Sequence, residues 1–163
     1  MRILGIDPGS SVTGYGIIEQ IGNKLLHVKN GEISVSSHLT FPQSLKRIYD
    51  NLQRIITDHS PDAIAVEDLF FYKNVKTALK LGHARGIAIL AGVNAGLDVY
   101  EYSPLEIKQA VVGYGRATKD QIQMMVMNLL NLEKPVSFDA SDALAVGICH
   151  IHSMKMKNLL SSC

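Results

Sequence analysis

The segment that decides the fold is the N-terminal stretch Arg2-Ile3-Leu4-Gly5-Ile6-Asp7-Pro8-Gly9-Ser10. Its apolar run, closed by Pro8-Gly9, predicts a buried strand that stops abruptly. Asp7 then lies where the strand leaves the core, which is a rigid place from which to hold a charge. The alternative is that Asp7 only opens a turn, because Asp favours the first turn position and Pro the second. This stretch by itself supports both interpretations equally.

Length and composition limit the class of protein. The 163 residues predict a single domain, 1–163, and an apolar content of 47% excludes a mainly disordered chain. The net charge of +1 shows no basic excess, although it is compatible with an acidic cleft and a basic rim. Cys149 and Cys163 form neither a disulfide framework nor a metal-binding pattern. Nothing in the sequence resembles a secretory signal, and the weakly polar run Gly86–Leu97 is shorter than the ~20 residues of a membrane span. We therefore expect a cytoplasmic protein without membrane contact.

Hydrophobic periodicity predicts strands and helices in the order β-β-β-α-β-α-β-α-α-α. After the first strand, strands are predicted at Thr13–Glu19, Lys24–Ser36 (with a bulge near Asn30-Gly31), Ala63–Val66 and Leu97–Tyr102. Helices are predicted at Pro42–His59, Val75–Ala95, from Ser103, from Thr118 to Leu132, and from Ser137 to the polar tail. This pattern indicates an α/β fold with one five-stranded sheet of mixed direction and helices on both faces.

The helix predicted at Val75–Ala95 is apolar or small on nearly every side. Such a helix is buried in a core or shared with another subunit. In a chain of one domain, the second explanation is favoured, and we expect a homodimer.

Three further acids join Asp7 in a candidate metal site. Glu67 follows the strand Ala63–Val66, while Asp139 and Asp142 share one face at the start of the last helix. Functional groups of open α/β sheets gather at the carboxyl ends of strands, where Asp7 and Glu67 both lie. Taken singly, Asp139 and Asp142 are better explained as helix-capping residues worth ~1 kcal/mol each, but the ordered set favours metal binding.

Four gathered carboxylates repel one another unless a cation neutralises them. Ligands that are all oxygen suit Mg²⁺, with Mn²⁺ as a substitute, rather than Zn²⁺. Two such ions that lie ~3.5–4 Å apart can activate water and stabilise the leaving oxygen of a phosphodiester. The set therefore indicates a divalent-metal site, which is compatible with two ions that act on one phosphodiester.

Basic and aromatic residues near the acidic elements are candidate contacts for a phosphate-bearing ligand. The basic candidates flank those elements in sequence and would guide phosphates to the metals; they are Lys73, Lys76, Lys80, Arg85, Lys108, Arg116 and Lys119. An ordinary solvated helix face is an equally good explanation for Lys76 and Lys80. In the run Phe70-Phe71-Tyr72, we expect Phe70 to stack on bases and the other two rings to pack. Tyr114 is a weak candidate, and His150 and His152 are expected to be structural.

Four runs of sequence resemble the RuvC family of bacterial Holliday-junction resolvases. They are G-I-D-P-G-S-S-V-T-G-Y-G (Gly5–Gly16), A-L-K-L-G-H-A-R-G (Ala78–Gly86), E-Y-S-P-L-E-I-K-Q-A-V-V-G-Y-G (Glu101–Gly115) and D-A-S-D-A-L-A-V-G-I-C-H (Asp139–His150). The resemblance covers nearly the whole chain in order. It implies a ribonuclease-H-like fold and a homodimer that nicks two strands of like polarity near the crossover of a four-way DNA junction. It also implies cooperation with the branch-migration proteins RuvA and RuvB.

The resemblance assigns roles to individual residues. The acidic quartet of the family matches Asp7, Glu67, Asp139 and Asp142. Its junction-contacting aromatic residue matches Phe70, and its phosphate-contacting lysines match Lys108 and Lys119. Asp68 departs from the family pattern, so that its carboxylate either supports the site from outside or points away.

Two other classes of protein share parts of this pattern. Sugar kinases and actin-like ATPases also begin with a strand, Asp, Gly and Ser or Thr, but they need a second lobe for which 163 residues leave no room. A junction-binding scaffold without catalysis would be expected to lack part of the acidic quartet, whereas this sequence keeps all four acids.

Overall fold

The computed structural model describes residues 1–68 and 74–160, with side chains described as far as Lys157. Its strands are β1 (Arg2–Asp7), β2 (Val12–Ile21), β3 (Lys24–Ser34), β4 (Ala63–Glu67) and β5 (Asp98–Tyr102). Its helices are α1 (Phe41–His59), α2 (Val75–Asn94), α3 (Pro104–Val112), α4 (Lys119–Leu130) and α5 (Phe138–Leu160). The order of elements is the one predicted. Within these described residues, no helix combines the length and apolarity required to cross a bilayer.

The five strands form one mixed sheet in the order β3-β2-β1-β4-β5. β1 pairs antiparallel with β2 and parallel with β4, and β4 pairs parallel with β5. Since β1, β4 and β5 run in the same direction, their carboxyl ends meet at one edge of the sheet. Ile6 lies opposite Val66, and Asp7 and Glu67 are therefore neighbours at that edge.

Helices cover both faces of the sheet, as the sequence predicts. Alternate residues of β1 and β4 point to opposite faces. Leu4, Ile6 and Val66 are fully buried with α1 and α2 on one face. Ile3 and Ala65 are fully buried with α3, α4 and α5 on the other. Burial on both faces explains why these two strands are continuously apolar.

Glycines on β1 and β2 allow α5 to lie directly on the sheet. A Cβ atom at Gly14 would overlap the carbonyl oxygen of Asp139, and one at Gly5 would overlap that of Ala143. Gly14 is the residue of β2 that pairs with Asp7. The absence of side chains at these positions therefore brings the first turn of α5 beside the end of β1.

The predicted helix starts at Ser103 and Thr118 are confirmed. Both residues cap their helices reciprocally, with the Ser103 amide donating to Glu106 Oε2 at 2.8 Å and the Thr118 amide donating to Gln121 Oε1 at 2.9 Å. The end of α4 was predicted two residues too late. Asn131 adopts a left-handed conformation with φ of 51°, which stops the helix at Leu130.

The bulge predicted at Asn30-Gly31 is at a different position. Tyr15 and Gly31 are paired regularly, and the register shifts instead between Ile17 and Ile18, opposite Lys29 and His27. Gly31 has another role, because a Cβ atom there would lie 2.7 Å from the Tyr15 hydroxyl oxygen. The glycine provides room for a ring from the neighbouring strand.

Candidate active site

The turn after β1 holds Asp7 in place. Thr13 is buried, and its hydroxyl donates to the Gly9 carbonyl oxygen at 2.9 Å and accepts from the Gly9 amide at 3.3 Å. These bonds tie the turn to the first residues of β2. Asp7 consequently projects from a rigid strand end, as the N-terminal stretch predicts.

Asp7 and Glu67 affect each other's ionisation at this edge of the sheet. Burial raises the pKa of Asp7 to about 6, against the opposing effect of a side-chain hydrogen bond with Glu67. Burial also raises the pKa of Glu67 to about 8, and the charge of Asp7 adds to that increase. Two carboxyl groups this close do not both ionise readily, and the pair retains a proton near neutral pH.

The other two acids come from the first two turns of α5. Burial raises the pKa of Asp142, although the Lys119 ammonium opposes the increase. Lys119 Nζ lies 3.1 Å from Asp142 Oδ2, and this contact raises the pKa of Lys119. The Lys119 side chain is 68% exposed whereas that of Asp142 is 16% exposed, so the ammonium approaches the site from the solvent side.

One pocket of about 380 Å³ brings the acidic set together. Its walls come from β1, β2, β4, α2, α3, α4 and α5, and its polar lining includes Asp7, Glu67, Lys108, Lys119, Asp139 and Asp142. The structure thus gathers all four acids that the sequence singles out, together with the two lysines expected to contact phosphate. Their chemical roles remain predictions at this point.

The donor atoms of this pocket fit a hard divalent cation, because all four acids offer carboxylate oxygens. Within residues 1–68 and 74–160, however, no three Asp, Glu, His or Cys side chains form a ready coordination sphere. Two contacts oppose such an arrangement. Asp7 and Glu67 are joined by a side-chain hydrogen bond, and Lys119 Nζ donates a hydrogen bond to Asp142 Oδ2. A cation would therefore compete with a proton for the first pair and with an ammonium group for Asp142.

The remaining basic candidates that the structure describes do not line this pocket. Lys76 and Lys80 are exposed on α2, and Arg116 is exposed between α3 and α4. Arg85 is different, because its guanidinium contacts both Asp68 and Glu101. Phe70 and Lys73 lie outside the described residues, as do Phe71 and Tyr72.

Two contributors to the site are absent from the sequence-based prediction. Thr13 stabilises the turn after Asp7 by a hydrogen bond to the Gly9 carbonyl oxygen, and Leu81 of α2 lines the pocket. Both lie within the runs Gly5–Gly16 and Ala78–Gly86 quoted above, but each acts through a contact that is made only on folding.

The expected structural roles of the two late histidines are supported by their contacts. His150 is buried, and its Nδ1 lies 2.9 Å from the Tyr102 hydroxyl oxygen. His152 Nδ1 lies 3.0 Å from the Ala110 carbonyl oxygen. Burial lowers the pKa of His150, which keeps the ring neutral in the core.

The fold and the site define a class of protein. A mixed five-stranded sheet, helices on both faces and an acidic pocket at the strand ends are the features of a ribonuclease-H-like nuclease. A family model described as crossover junction endodeoxyribonuclease RuvC matches residues 3–150. The chain belongs to this family, whose members are divalent-metal-dependent nucleases, and it resolves Holliday junctions in recombination and DNA repair.

Individual relatives agree with this assignment. The chain is 58% identical to the crossover junction endodeoxyribonuclease RuvC of Geobacter sulfurreducens over 162 residues, covering 99% of each protein. It is 59% identical to the protein of the same name from Syntrophotalea carbinolica over 161 residues, covering 99% of this chain and 100% of the relative. Among solved structures, Thermus thermophilus RuvC in complex with a Holliday junction substrate matches with a TM-score of 0.91 and 32% identity, covering 96% of each chain.

Proposed function

We propose that Asp7, Glu67, Asp139 and Asp142 form the active site in which this resolvase hydrolyses a phosphodiester bond of a four-way DNA junction. The observation that carries this proposal is the convergence of the four acids in one pocket, from two strands and one helix far apart in sequence. A pocket that is only structural would not need to gather four partly buried carboxylates, because they repel one another and are costly to remove from water.

Mg²⁺ is the proposed cofactor, with two ions per site and Mn²⁺ as a substitute. When bound, the ions would supply an activated water and stabilise the charge that develops on the leaving oxygen. The chain's own contribution is to hold the carboxylates on rigid elements. Asp7 and Glu67 are fixed by the sheet, while Asp139 and Asp142 are fixed by the packing of α5 on Gly14 and Gly5.

The proposed DNA contacts include two lysines of the pocket and further residues beyond it. Lys108 and Lys119 line it directly and would bind the phosphates next to the scissile bond. Lys76, Lys80 and Arg116 are exposed and would contact the arms. Phe70 is proposed to stack on bases at the crossover. Arg85 is omitted from this set because two carboxylates already neutralise its charge.

We further propose that two copies of the chain associate through α2. Val75, Leu79, Leu90 and Val93 are 72%, 60%, 46% and 59% exposed, and helical spacing places them on one face. Gly82 and Gly86 lie between them on the same face, and a Cβ atom at Gly86 would meet no neighbour within 4 Å in the single chain. Small residues at the centre of an apolar stripe allow two helices to approach closely. A second copy of α2 is the occupant that fits, since a two-fold axis pairs the stripe with itself.

Replacement of Leu90 by Glu is expected to separate the dimer. The two-fold axis would place two unpaired carboxylates in an apolar interface, and the dimer dissociation constant should increase at least about 10²-fold. Sedimentation velocity over a range of concentrations measures this change. Met124→Glu is the matched control, because Met124 is 65% exposed on α4 and lies outside the stripe. A Leu90→Glu protein that sediments like the unchanged chain would contradict the proposed interface.

The dimer would place two active sites on one junction. We propose that residues 1–163 act as one nuclease unit in each copy and that the two copies nick strands of like polarity symmetrically about the crossover. RuvA and RuvB are the proposed partners that deliver the junction, and the cytoplasm is the proposed location.

A cleavage assay tests the proposed function directly. The purified chain is incubated with a labelled four-way junction or a linear duplex of the same sequence, with Mg²⁺ or with a chelator. Paired nicks near the crossover are expected only for the junction with Mg²⁺. Equal cutting of the duplex, or cutting in the presence of the chelator, would contradict the proposal.

Glu67→Gln is expected to make the protein more stable at pH 8 while it stops cleavage. The pKa of Glu67 is raised in the folded state, so folding favours the protonated form, and stability falls as the pH rises from the ordinary value of 4.5 to about 8. Glutamine removes this cost. If the substitution removes a cost equivalent to one pKa unit, the free energy of unfolding increases by about 1.4 kcal/mol. In a protein of this size the unfolding temperature should then rise by about 3–5 °C.

Thermal unfolding followed at pH 4.5 and pH 8 checks this expectation. The difference between Glu67→Gln and the unchanged protein should be present at pH 8 and small at pH 4.5. Glu106→Gln is the control, since hydrogen bonds from Ser103 lower the pKa of Glu106, and its replacement should not stabilise the protein at pH 8. A lower unfolding temperature for Glu67→Gln at pH 8 would contradict the assigned burial of this charge.

A further inference from the structure

Arg85 occupies an unusual place among the basic residues of α2. Its side chain is 27% exposed, whereas Lys76 and Lys80 are among the exposed residues of the same helix. Arg85 Nη2 lies 2.9 Å from Asp68 Oδ1 and also bonds Glu101 Oε2. One guanidinium therefore joins a helix to the ends of two strands.

The two carboxylates that hold Arg85 are adjacent to the active site in the sheet. Glu101 lies on β5 opposite Val66 of β4, one residue before the pairing of Glu67 with Tyr102. The Asp68 amide continues this ladder by donating to the Tyr102 carbonyl oxygen at 2.8 Å. The ion pairs consequently act on the last residues of both strands, where the backbone of Glu67 is fixed.

The alternation of side chains separates these groups from the pocket itself. Val66 packs with α2, and Ala65 packs with α5 on the opposite face. Glu67 follows the direction of Ala65, toward Asp139 and Asp142 of α5, while Asp68 follows that of Val66, toward α2. Arg85 and Glu67 thus lie on opposite faces of the same strand end.

We propose that Arg85 is a positioning residue that fastens α2 to the ends of β4 and β5 and so holds the Glu67 carboxylate in the active site. The inference rests on the proposed role of Glu67 in catalysis. It also gives Asp68 a function, since this residue supplies one of the two carboxylates that secure Arg85. Because α2 also carries the proposed dimer stripe, the same ion pairs connect the dimer helix with the catalytic edge of the sheet.

A different role for Arg85 would be direct contact with a DNA phosphate, as the sequence suggested. The geometry is unfavourable for that role, because a phosphate would have to displace two carboxylates that already neutralise the guanidinium. Mutations distinguish the two roles. Loss of a phosphate contact weakens binding and reduces the salt dependence of binding, whereas loss of a positioning residue slows cleavage of the bound junction.

The experiment compares Arg85→Gln, Arg85→Lys and Glu101→Gln with the unchanged chain on a labelled four-way junction. Dissociation constants are measured without divalent metal at several salt concentrations. Cleavage rates are measured in single turnover at saturating protein over a range of Mg²⁺ concentrations. Lys46→Gln is the matched control, because Lys46 is also paired with a carboxylate, Asp50 at 2.6 Å, on the exposed surface of α1.

We expect Arg85→Gln to bind the junction within about twofold of the unchanged chain and to cleave it about 10–100-fold more slowly, the effect typical of groups that orient metal ligands. The Mg²⁺ concentration that gives half the maximal rate should rise. Arg85→Lys should recover much of the rate because it keeps the charge, and Lys46→Gln should cleave normally. Glu101→Gln should follow Arg85→Gln, and it provides a second test if the arginine variant folds poorly.

Three results would overturn the proposal. The first is cleavage by both Arg85→Gln and Glu101→Gln at the normal rate, and the second is a loss that the Arg85→Lys variant does not recover at all. The third is weaker junction binding by Arg85→Gln with a smaller salt slope, which would identify Arg85 as a phosphate contact. Glu67→Gln tests the proposed active site separately from the role of Arg85. Normal cleavage by Glu67→Gln would contradict the active-site assignment, whereas loss of cleavage would leave it in place.

Discussion

Asp142→Asn is expected to abolish junction cleavage while junction binding remains. The substitution keeps the shape of the side chain and removes one negative charge from the pocket that Asp7, Glu67 and Asp139 share with it. Loss of a single group that stabilises transition-state charge costs about 10²–10³-fold in rate, and we expect at least this reduction. Asp139→Asn and Asp7→Asn should behave in the same way.

The loss should not come from unfolding. Burial raises the pKa of Asp142, which means that its ionised form is unfavourable in the folded protein, and asparagine should therefore leave the unfolding temperature unchanged or higher. Junction binding should remain within a few-fold or become tighter, since one charge that repels phosphate is absent. Asp50→Asn on the exposed face of α1 is the control. An Asp142→Asn protein that cuts a junction at the normal rate would disprove the assigned site.

Gly14→Ala is expected to slow cleavage about 10²-fold without removing any functional group. The added Cβ atom would lie well inside 3.0 Å of the Asp139 carbonyl oxygen, a backbone atom that cannot rotate away. The first turn of α5 must then shift, and Asp139 and Asp142 shift with it. A displacement of about 1 Å at a catalytic group is enough for a loss of this size.

Gly147→Ala provides the matched control for this experiment. Gly147 also lies on α5 against the sheet, but its nearest contact is the Ile18 side chain at 3.1 Å, whose end can move. We expect a small effect on cleavage from this variant. The two proteins are compared by single-turnover cleavage, junction binding and thermal unfolding. If Gly14→Ala cuts at the normal rate, the close approach of α5 does not position the acids.

Much of the fold was accessible from the sequence because the decisive signals are local. Alternation and apolar runs identified the strands, a repeat of three and four residues identified α1, and the capping pairs at Ser103 and Thr118 placed the starts of α3 and α4 correctly. Local signals failed where a distant side chain decided the outcome. Asn30-Gly31 looked like a bulge signal in the sequence. The glycine is needed there for another reason, because the Tyr15 ring lies against it and leaves no space for a side chain.

The candidate site divides in the same way. Asp7 and Glu67 could be identified because each follows an apolar strand, and Asp139 and Asp142 because they open a helix. The ion pairs of Arg85 could not be foreseen from sequence. It is 17 residues from Asp68 and 16 from Glu101, and only the pairing of β4 with β5 and the packing of α2 on them bring the three together.

By itself, the sequence determined which groups are available for chemistry and the element on which each one stands, since a strand end or a helix start depends on neighbouring residues. Only the tertiary structure decided how those groups affect one another. The raised pKa of Glu67 beside Asp7, the Lys119 ammonium on Asp142 and the two carboxylates on Arg85 all depend on distances between chain segments far apart in sequence. Electrostatic interactions depend on distance and burial, and neither quantity exists until the chain has folded.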